Sequence, residues 1–206
     1  MIYICLADGF EDIEAIGTID ILRRCGLQVQ ILSVTGKRVV TSARGTIVKT
    51  DSLFRKNHLI HCDALVLPGG LKGAETMNKN SVLRLAISQQ AHEGTLIAAI
   101  CAAPMVLGTA GILKGRHATI YPGMEEHIEG SIVHRDAYVV EHDNIITAAG
   151  PAATSMFAFA IARRLVSNTE VVDQVERDML YTGFDESVKE CLSLTLLAMQ
   201  RSKTKQ

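Results

Sequence analysis

Two short apolar runs flank one amphipathic stretch within the first 34 residues, and this pattern restricts the fold more than any other feature of the chain. Ile2 to Ala7 reads as a buried strand stopped by Asp8-Gly9. Asp12 to Cys25 reads as a helix with Ile16, Ile19 and Leu22 along one side, ended by Gly26. Leu27 to Val34 reads as a second strand. A strand–helix–strand unit of this length places its two strands in parallel, joined by a right-handed crossover.

The alternation continues. Arg38 to Thr41 and Thr46 to Thr50 form a small β excursion, and Ala64 to Leu67 is a strand that runs into Pro68-Gly69-Gly70. A helix over Ser81 to Glu93, with Ser81 as its N-cap, leads to a strand over Thr95 to Ile100. From Cys101 to Thr109 the pattern turns helical, with Pro104 tolerated in the first turn. Asn144 to Ala148 is another strand, and Gly150-Pro151 opens a helix to Val166. Two helical stretches follow, Glu170 to Leu180 and Glu186 to Met199, the second striped by Val188, Leu192, Leu196 and Met199. A polar tail closes the chain. The expected architecture is α/β with a mostly parallel central sheet, over residues 1–182, plus an appended helix and tail over 183–206. A core built with no Trp and only 4% aromatic residues suits such a sheet, whose strands are Ile-, Val-, Leu- and Ala-rich.

Several functions are excluded. Net charge is −1 and no dense basic stretch precedes the last six residues, so no dedicated nucleic-acid surface is expected. No apolar run approaches the roughly 18 residues of a membrane helix, and the start of the chain lacks the features of a signal peptide. The five cysteines are scattered, with no CxxC, which suggests free thiols in a reducing cytoplasm. Neither GxxxxGK[ST] nor a GxGxxG after the first strand occurs, so no nucleotide cofactor is expected. His58 and His61, with Cys62 and Asp63 beside them, lack a second matching pair, so no metal is expected either.

In a doubly wound sheet the site forms at the carboxyl ends of the strands. Three loops lie at such ends: Asp8 to Glu14, Pro68 to Gly73, and the turn at Cys101. Cys101 follows the buried run Leu96 to Ile100 and precedes Ala102-Ala103-Pro104, a strand-to-helix turn that lifts a nucleophile into a crevice. Unpaired amides at a helix start lower a thiol pKa from about 8.5 to about 3.5–7.5. The other cysteines, Cys5, Cys25, Cys62 and Cys191, read as structural, and a buried structural sulfur is also the alternative at Cys101. Glu14 is either an ordinary first-turn acid or a protonated partner that donates to the sulfur. Pro68-Gly69-Gly70 is either a plain loop or, with the amides of Gly70 and Ala102, an oxyanion hole. Ala102 stands where an adjacent His would complete a Cys-His dyad, so a protease triad is not expected.

The segments Leu6-Ala7-Asp8-Gly9-Phe10-Glu11-Asp12-Ile13-Glu14, Asp20-Ile21-Leu22-Arg23-Arg24-Cys25-Gly26, Val66-Leu67-Pro68-Gly69-Gly70, Ile97-Ala98-Ala99-Ile100-Cys101-Ala102-Ala103-Pro104 and Ala149-Gly150-Pro151 together resemble the ThiJ/PfpI superfamily, in the branch of the human parkinsonism-associated protein and its bacterial relatives. The resemblance implies a flavodoxin-like three-layer sandwich and a homodimer. It puts the nucleophile at Cys101, the protonated glutamate at Glu14, and the cradling amides at Gly70 and Ala102. It implies a glutathione-independent glyoxalase that converts methylglyoxal to lactate, or a deglycase acting on early protein or nucleotide adducts, and no cofactor. A redox sensor using a Cys101 sulfinate, or an oxidative-stress chaperone, is the alternative. Two positions depart from the pattern: Tyr121 replaces the His of the human branch, and Gly150-Pro151-Ala152-Ala153-Thr154 replaces Gly-Pro-Gly-Thr.

Overall fold

The computed structural model describes residues 1–181. The helix and tail expected over 183–206, and Cys191 with them, lie outside these residues. The described residues divide into two units, residues 1–167 and a second that begins at Asn168.

The first unit is built on a seven-stranded sheet. Strands β1 (Ile2–Leu6), β2 (Val29–Ser33), β5 (Ser52–Leu53), β6 (Ala64–Leu67), β7 (Leu96–Ile100), β10 (Val139–His142) and β11 (Ile145–Ala148) lie in the order β10-β11-β7-β6-β1-β2-β5. All neighbours are parallel except β10, which pairs antiparallel with β11 at the edge. Every residue of β1, β6, β7 and β11 is buried. Their nearly continuous Ile, Val, Leu and Ala content is what a strand covered on both faces requires. Helices α1 (Asp12–Arg24) and α5 (Thr154–Leu165) pack together, as do α2 (Leu71–Lys79), α3 (Ser81–His92) and α4 (Pro104–Thr109). This is the expected three-layer sandwich. The excursion after β2 is a separate antiparallel pair, β3 (Val39–Thr41) with β4 (Ile47–Lys49). A second small sheet pairs β8 (His117–Ala118) with β9 (Ile132–Val133).

Some boundaries differ from the sequence reading. Helix α2 occupies a stretch that reads as loop. The N-cap of α3 is Asn80, not Ser81: its Oδ1 accepts from Leu83 N at 3.0 Å. An Asn carboxamide reaches the third amide of a helix readily, and this one also separates α2 from α3. Ile16 is 42% exposed and Ile13 59%, while Ala15, Thr18, Ile19 and Leu22 carry the buried side of α1. Helix α4 starts at Pro104, three residues after Cys101, and α5 is preceded by a 3-10 turn over Pro151–Ala153.

From β1 the chain winds outward through β2 to β5, then returns to lay β6, β7 and β11 on the other side. The reversal lies between β1 and β6, so the crevice opens where their carboxyl-end loops part. Cys101 follows β7, the next strand along.

The second unit contributes one described helix, α6 (Glu170–Asp178), with Glu170 N donating to Asn168 Oδ1 at 3.0 Å. Among the described residues no helix is long and apolar enough to cross a membrane.

Candidate active site

Cys101 has φ +63, a left-handed conformation that costs a non-glycine residue about 1–3 kcal/mol. Two backbone hydrogen bonds hold it there. Cys101 N donates to Ala148 O at 2.8 Å, and Tyr121 N donates to Cys101 O at 2.9 Å. The turn therefore has the strained geometry of a nucleophile elbow without that motif's glycines, held by β11 through Ala148 and by the segment after β8 through Tyr121.

Glu14 projects from the first turn of α1 into the same crevice and is fully buried. Gly69 N donates to its Oε2 at 2.7 Å. Its Oε1 is buried with no hydrogen-bond partner, and the carboxyl lies beside the Cys101 thiol across Gly69. Oε2 is committed as an acceptor, so a proton on this carboxyl belongs on Oε1.

Gly69 lies outside the sequence-predicted set, which names Gly70, yet it sits at the centre. A Cβ at Gly69 would lie 2.6 Å from Cys101 Cβ, 2.7 Å from Glu14 Oε2 and 2.9 Å from Ile100 O. Only glycine lets the three loops close to this distance. The doublet following an apolar strand is the signal that could have found it. Gly70, with φ +84, caps α2 and packs against the first loop, where a Cβ would stand 2.2 Å from Gly9 O.

The amides of Gly70 and Ala102 face the Cys101 sulfur and favour its charged form, while Ala103 N is spent on Ile100 O. The four sequence-predicted residues are thus together, with one difference: in the resting site the two amides address the sulfur itself.

The electrostatics correct one expectation. Burial pushes the Glu14 carboxyl up to about 7, against the hydrogen bonds from Cys101 and Gly69, with the Glu11 charge adding to the rise. Burial also pushes the Cys101 thiol up, to about 12, helped by the charge and hydrogen bond of Glu14 and opposed by the amides of Gly70 and Ala102. A helix start alone does not yield a thiolate here: Cys101 is only 9% exposed, and one amide at that turn cannot offset lost hydration. The Glu14 contribution belongs to its carboxylate form. When Glu14 holds the proton, the repulsion disappears and the carboxyl can donate toward sulfur. Acid with thiolate and carboxylate with thiol are two arrangements of one shared proton.

A cleft of about 580 Å³ adjoins this cluster, lined by Asp8, Gly9, Thr41, Ser42, Ala43, Leu71 and Lys72. A second cavity, of about 560 Å³, lies between residues 56–60 and α3 at the amino ends of β6 and β7, away from Cys101. Tyr121, 47% exposed, sets its ring against Gly150. Of the other described cysteines, Cys5 is sealed in β1, and Cys62 is half-buried with its thiol pushed up by burial to about 12, as at Cys101.

Residues 1–164 match the DJ-1/PfpI family. Protein dj-1beta of Drosophila melanogaster is 35% identical over 178 residues, covering 86% of this chain and 95% of that protein. The Parkinson disease protein 7 homolog of Danio rerio is 31% identical over 180 residues, covering 86% and 95%. The crystal structure of Drosophila melanogaster DJ-1beta superposes with a TM-score of 0.81 at 34% identity, covering 87% of this chain and 96% of that one. Oxidized Toxoplasma gondii DJ-1 gives 0.81 at 32% identity, covering 88% and 98%.

Proposed function

The chain belongs to the DJ-1/PfpI family, and from that premise we propose that it is a cysteine-dependent, glutathione-independent glyoxalase or deglycase, acting on small α-oxoaldehydes such as methylglyoxal or on their early protein or nucleotide adducts. The observation that carries this reading is the buried Glu14 carboxyl, neutral up to about pH 7, with the Cys101 thiol beside it. A site for aldehyde chemistry needs a nucleophile and a proton source within one step of each other, and this pair supplies both.

The sulfur adds to the aldehyde carbon; the carbonyl electron pair moves to oxygen, which takes the Glu14 proton, and a hemithioacetal results. The amides of Gly70 and Ala102 hold the negative charge, first on sulfur and then on the new oxyanion. The Glu14 carboxylate next removes the C–H proton to give an enediolate and returns it to the adjacent carbon, while the hydroxyl proton passes to the adjacent oxygen, leaving a thioester. Water cleaves the thioester to a hydroxyacid and restores the thiol. The sum is aldehyde plus water to hydroxyacid, so no external oxidant is required. Tyr121 replaces the imidazole of the human branch, which leaves Glu14 to shuttle both protons. Incubation of pure protein with methylglyoxal should give lactate; production that persists in Cys101→Ala eliminates this mechanism.

A second reading, a redox sensor or oxidative-stress chaperone, is favoured by one observation: the Gly70 and Ala102 amides face the sulfur, which is where the oxygens of a sulfinate need donors. The similar Toxoplasma protein is described in an oxidized form. The free cysteines suit a reducing cytoplasm. A homodimer would cover the exposed Ile13 and Ile16 of α1, and sedimentation of Ile16→Glu against wild type tests that assembly.

A further inference from the structure

Away from the crevice, three histidines from three separate segments meet at the sheet edge. His117 lies in β8, His134 follows β9, and His142 ends β10. His117 Nδ1 and His134 Nε2 are 2.6 Å apart. Their ring centroids are 4.9 Å apart with planes at 26°, so the rings meet nitrogen to nitrogen rather than face to face. His142 packs on the other side of His117, at 5.1 Å between centroids. Its Nδ1 accepts from His117 N at 3.1 Å, and its Nε2 faces Asp143 Oδ2 at 3.5 Å.

These contacts limit how many protons the cluster can hold. The His117–His134 contact needs one bare nitrogen opposite one N–H, so a proton on both breaks it. His142 must keep Nδ1 bare to receive the backbone donor, which leaves its proton on Nε2, toward Asp143. The intact cluster therefore accepts at most one added proton, on the His117–His134 pair, whereas three separated imidazoles accept three. The surrounding charges do not relieve this limit. Asp143 is shared with Arg116 Nε at 3.9 Å, Glu141 pairs with Arg164 of α5 at 3.4 Å, and Glu125 pairs with Arg135 at 3.5 Å. The nitrogens do not converge on a metal position; among the described residues no group of three or more His, Cys, Asp or Glu does.

The segments clasped here run on to the candidate active site. β8 continues through Thr119, whose N donates to Thr147 Oγ1 in β11 at 2.9 Å, to Tyr121, whose N holds Cys101 O. β10 pairs with β11, whose last residue, Ala148, receives Cys101 N. Both hydrogen bonds that fix the strained turn thus depend on strands joined by the histidines.

We propose that His117, His134 and His142 form a proton-operated clasp that locks β8 and β10 together at neutral pH and, on acidification, releases the two backbone hydrogen bonds framing Cys101. This holds whatever substrate Cys101 takes. A proton on both facing nitrogens breaks the His117–His134 contact, and a proton on His142 Nδ1 breaks its bond from His117 N, so added protons open the clasp.

The test compares wild type with His134→Gln/His142→Asn, in which amide oxygens replace the ring acceptors without titrating, at pH 7.5 and 5.5 with EDTA present. The wild-type Tm should fall between these pH values by roughly 5 °C more than that of the double variant. Amide exchange at Cys101 and Tyr121, corrected for intrinsic pH dependence, should speed up several-fold in wild type alone. Equal pH responses in the two proteins overturn the proposal, as does a wild-type response that appears only with added zinc. Should the double variant not fold, imidazole NMR of wild type decides: three independent titrations that leave the β8 and β10 amide signals unmoved also overturn it.

Discussion

Replacing Glu14 by Gln should make the protein more stable and less active, by amounts that follow from one buried proton. The Glu14 carboxyl titrates at about 7 in the fold, against 4.5 for an ordinary glutamate. That difference corresponds to roughly 3 kcal/mol at about 1.36 kcal/mol per pH unit. The folded-state value is raised, so the fold binds this proton more tightly than the unfolded chain does. Stability from this group is intact below pH 4.5, is lost progressively as pH rises toward 7, and stays lost above it. The carboxamide introduced by Glu14→Gln is nearly isosteric with the carboxyl: its oxygen can accept from Gly69 N, and its NH₂ takes the place of the protonated Oε1. Glu14→Gln should therefore match wild type near pH 4.5 and exceed it by up to about 3 kcal/mol at pH 8, or about 6–12 °C in Tm for a chain of this size. Urea unfolding of both proteins at pH 5, 6, 7 and 8 measures the gap, and subtracting one from the other cancels every group they share. A gap that does not change with pH, or a variant weaker than wild type at pH 8, would refute the reasoning. Turnover with methylglyoxal should meanwhile fall by about 10²–10⁴, the usual worth of a positioned proton donor. Alkylation of Cys101 at pH 8 should instead accelerate, because the carboxylate charge that resists ionisation is gone.

Gly70→Ala should cost about 3 kcal/mol in urea unfolding, from a positive φ together with a Cβ placed 2.2 Å from the fixed carbonyl of Gly9, and should remove activity by pushing the first loop away. Asn80→Ala should cost about 1 kcal/mol through loss of the α3 cap while leaving turnover unchanged. Under mild peroxide, mass spectrometry should find two added oxygens on Cys101 before any appear on Cys5, Cys25 or Cys62; earlier oxidation of Cys25 or Cys62 argues against the redox reading.

The elements legible in the sequence are those whose burial is uniform. β1, β6 and β7 read as strands because every residue is covered, and α1 is bounded by Asp12 and Gly26. Elements at the margin are not legible in this way. β10, Val139 to His142, is half exposed and polar at its end, and it is a strand because β11 offers an antiparallel edge. Helix α2 has glycines before and within it. Its Gly73 lets the backbone approach Phe10, where a Cβ would come within 3.1 Å of Phe10 N, and Ala74 and Met77 supply the buried side. Tertiary packing overrides weak local propensity there. Ile16 fails in the opposite sense: helical spacing places it with Ile19 and Leu22, but the sheet covers the side carrying Ala15 and Thr18.

At the site, residue identity is legible and the electrostatic balance is not. The turn at Cys101 follows from where a strand ends, whereas the roles of Glu14 and of the Gly70 and Ala102 amides are what the family resemblance implies. Burial is summed over the whole fold, and it reverses the expected effect of the turn on the thiol. Reactivity at Cys101 then depends on where the shared proton sits, and a backbone group decides that. Gly69 N occupies Oε2, which leaves Oε1 to carry the proton, and the missing Cβ of Gly69 brings carboxyl and sulfur together. A side chain at position 69 would therefore remove both the contact and the direction of proton transfer, even with Cys101 and Glu14 untouched.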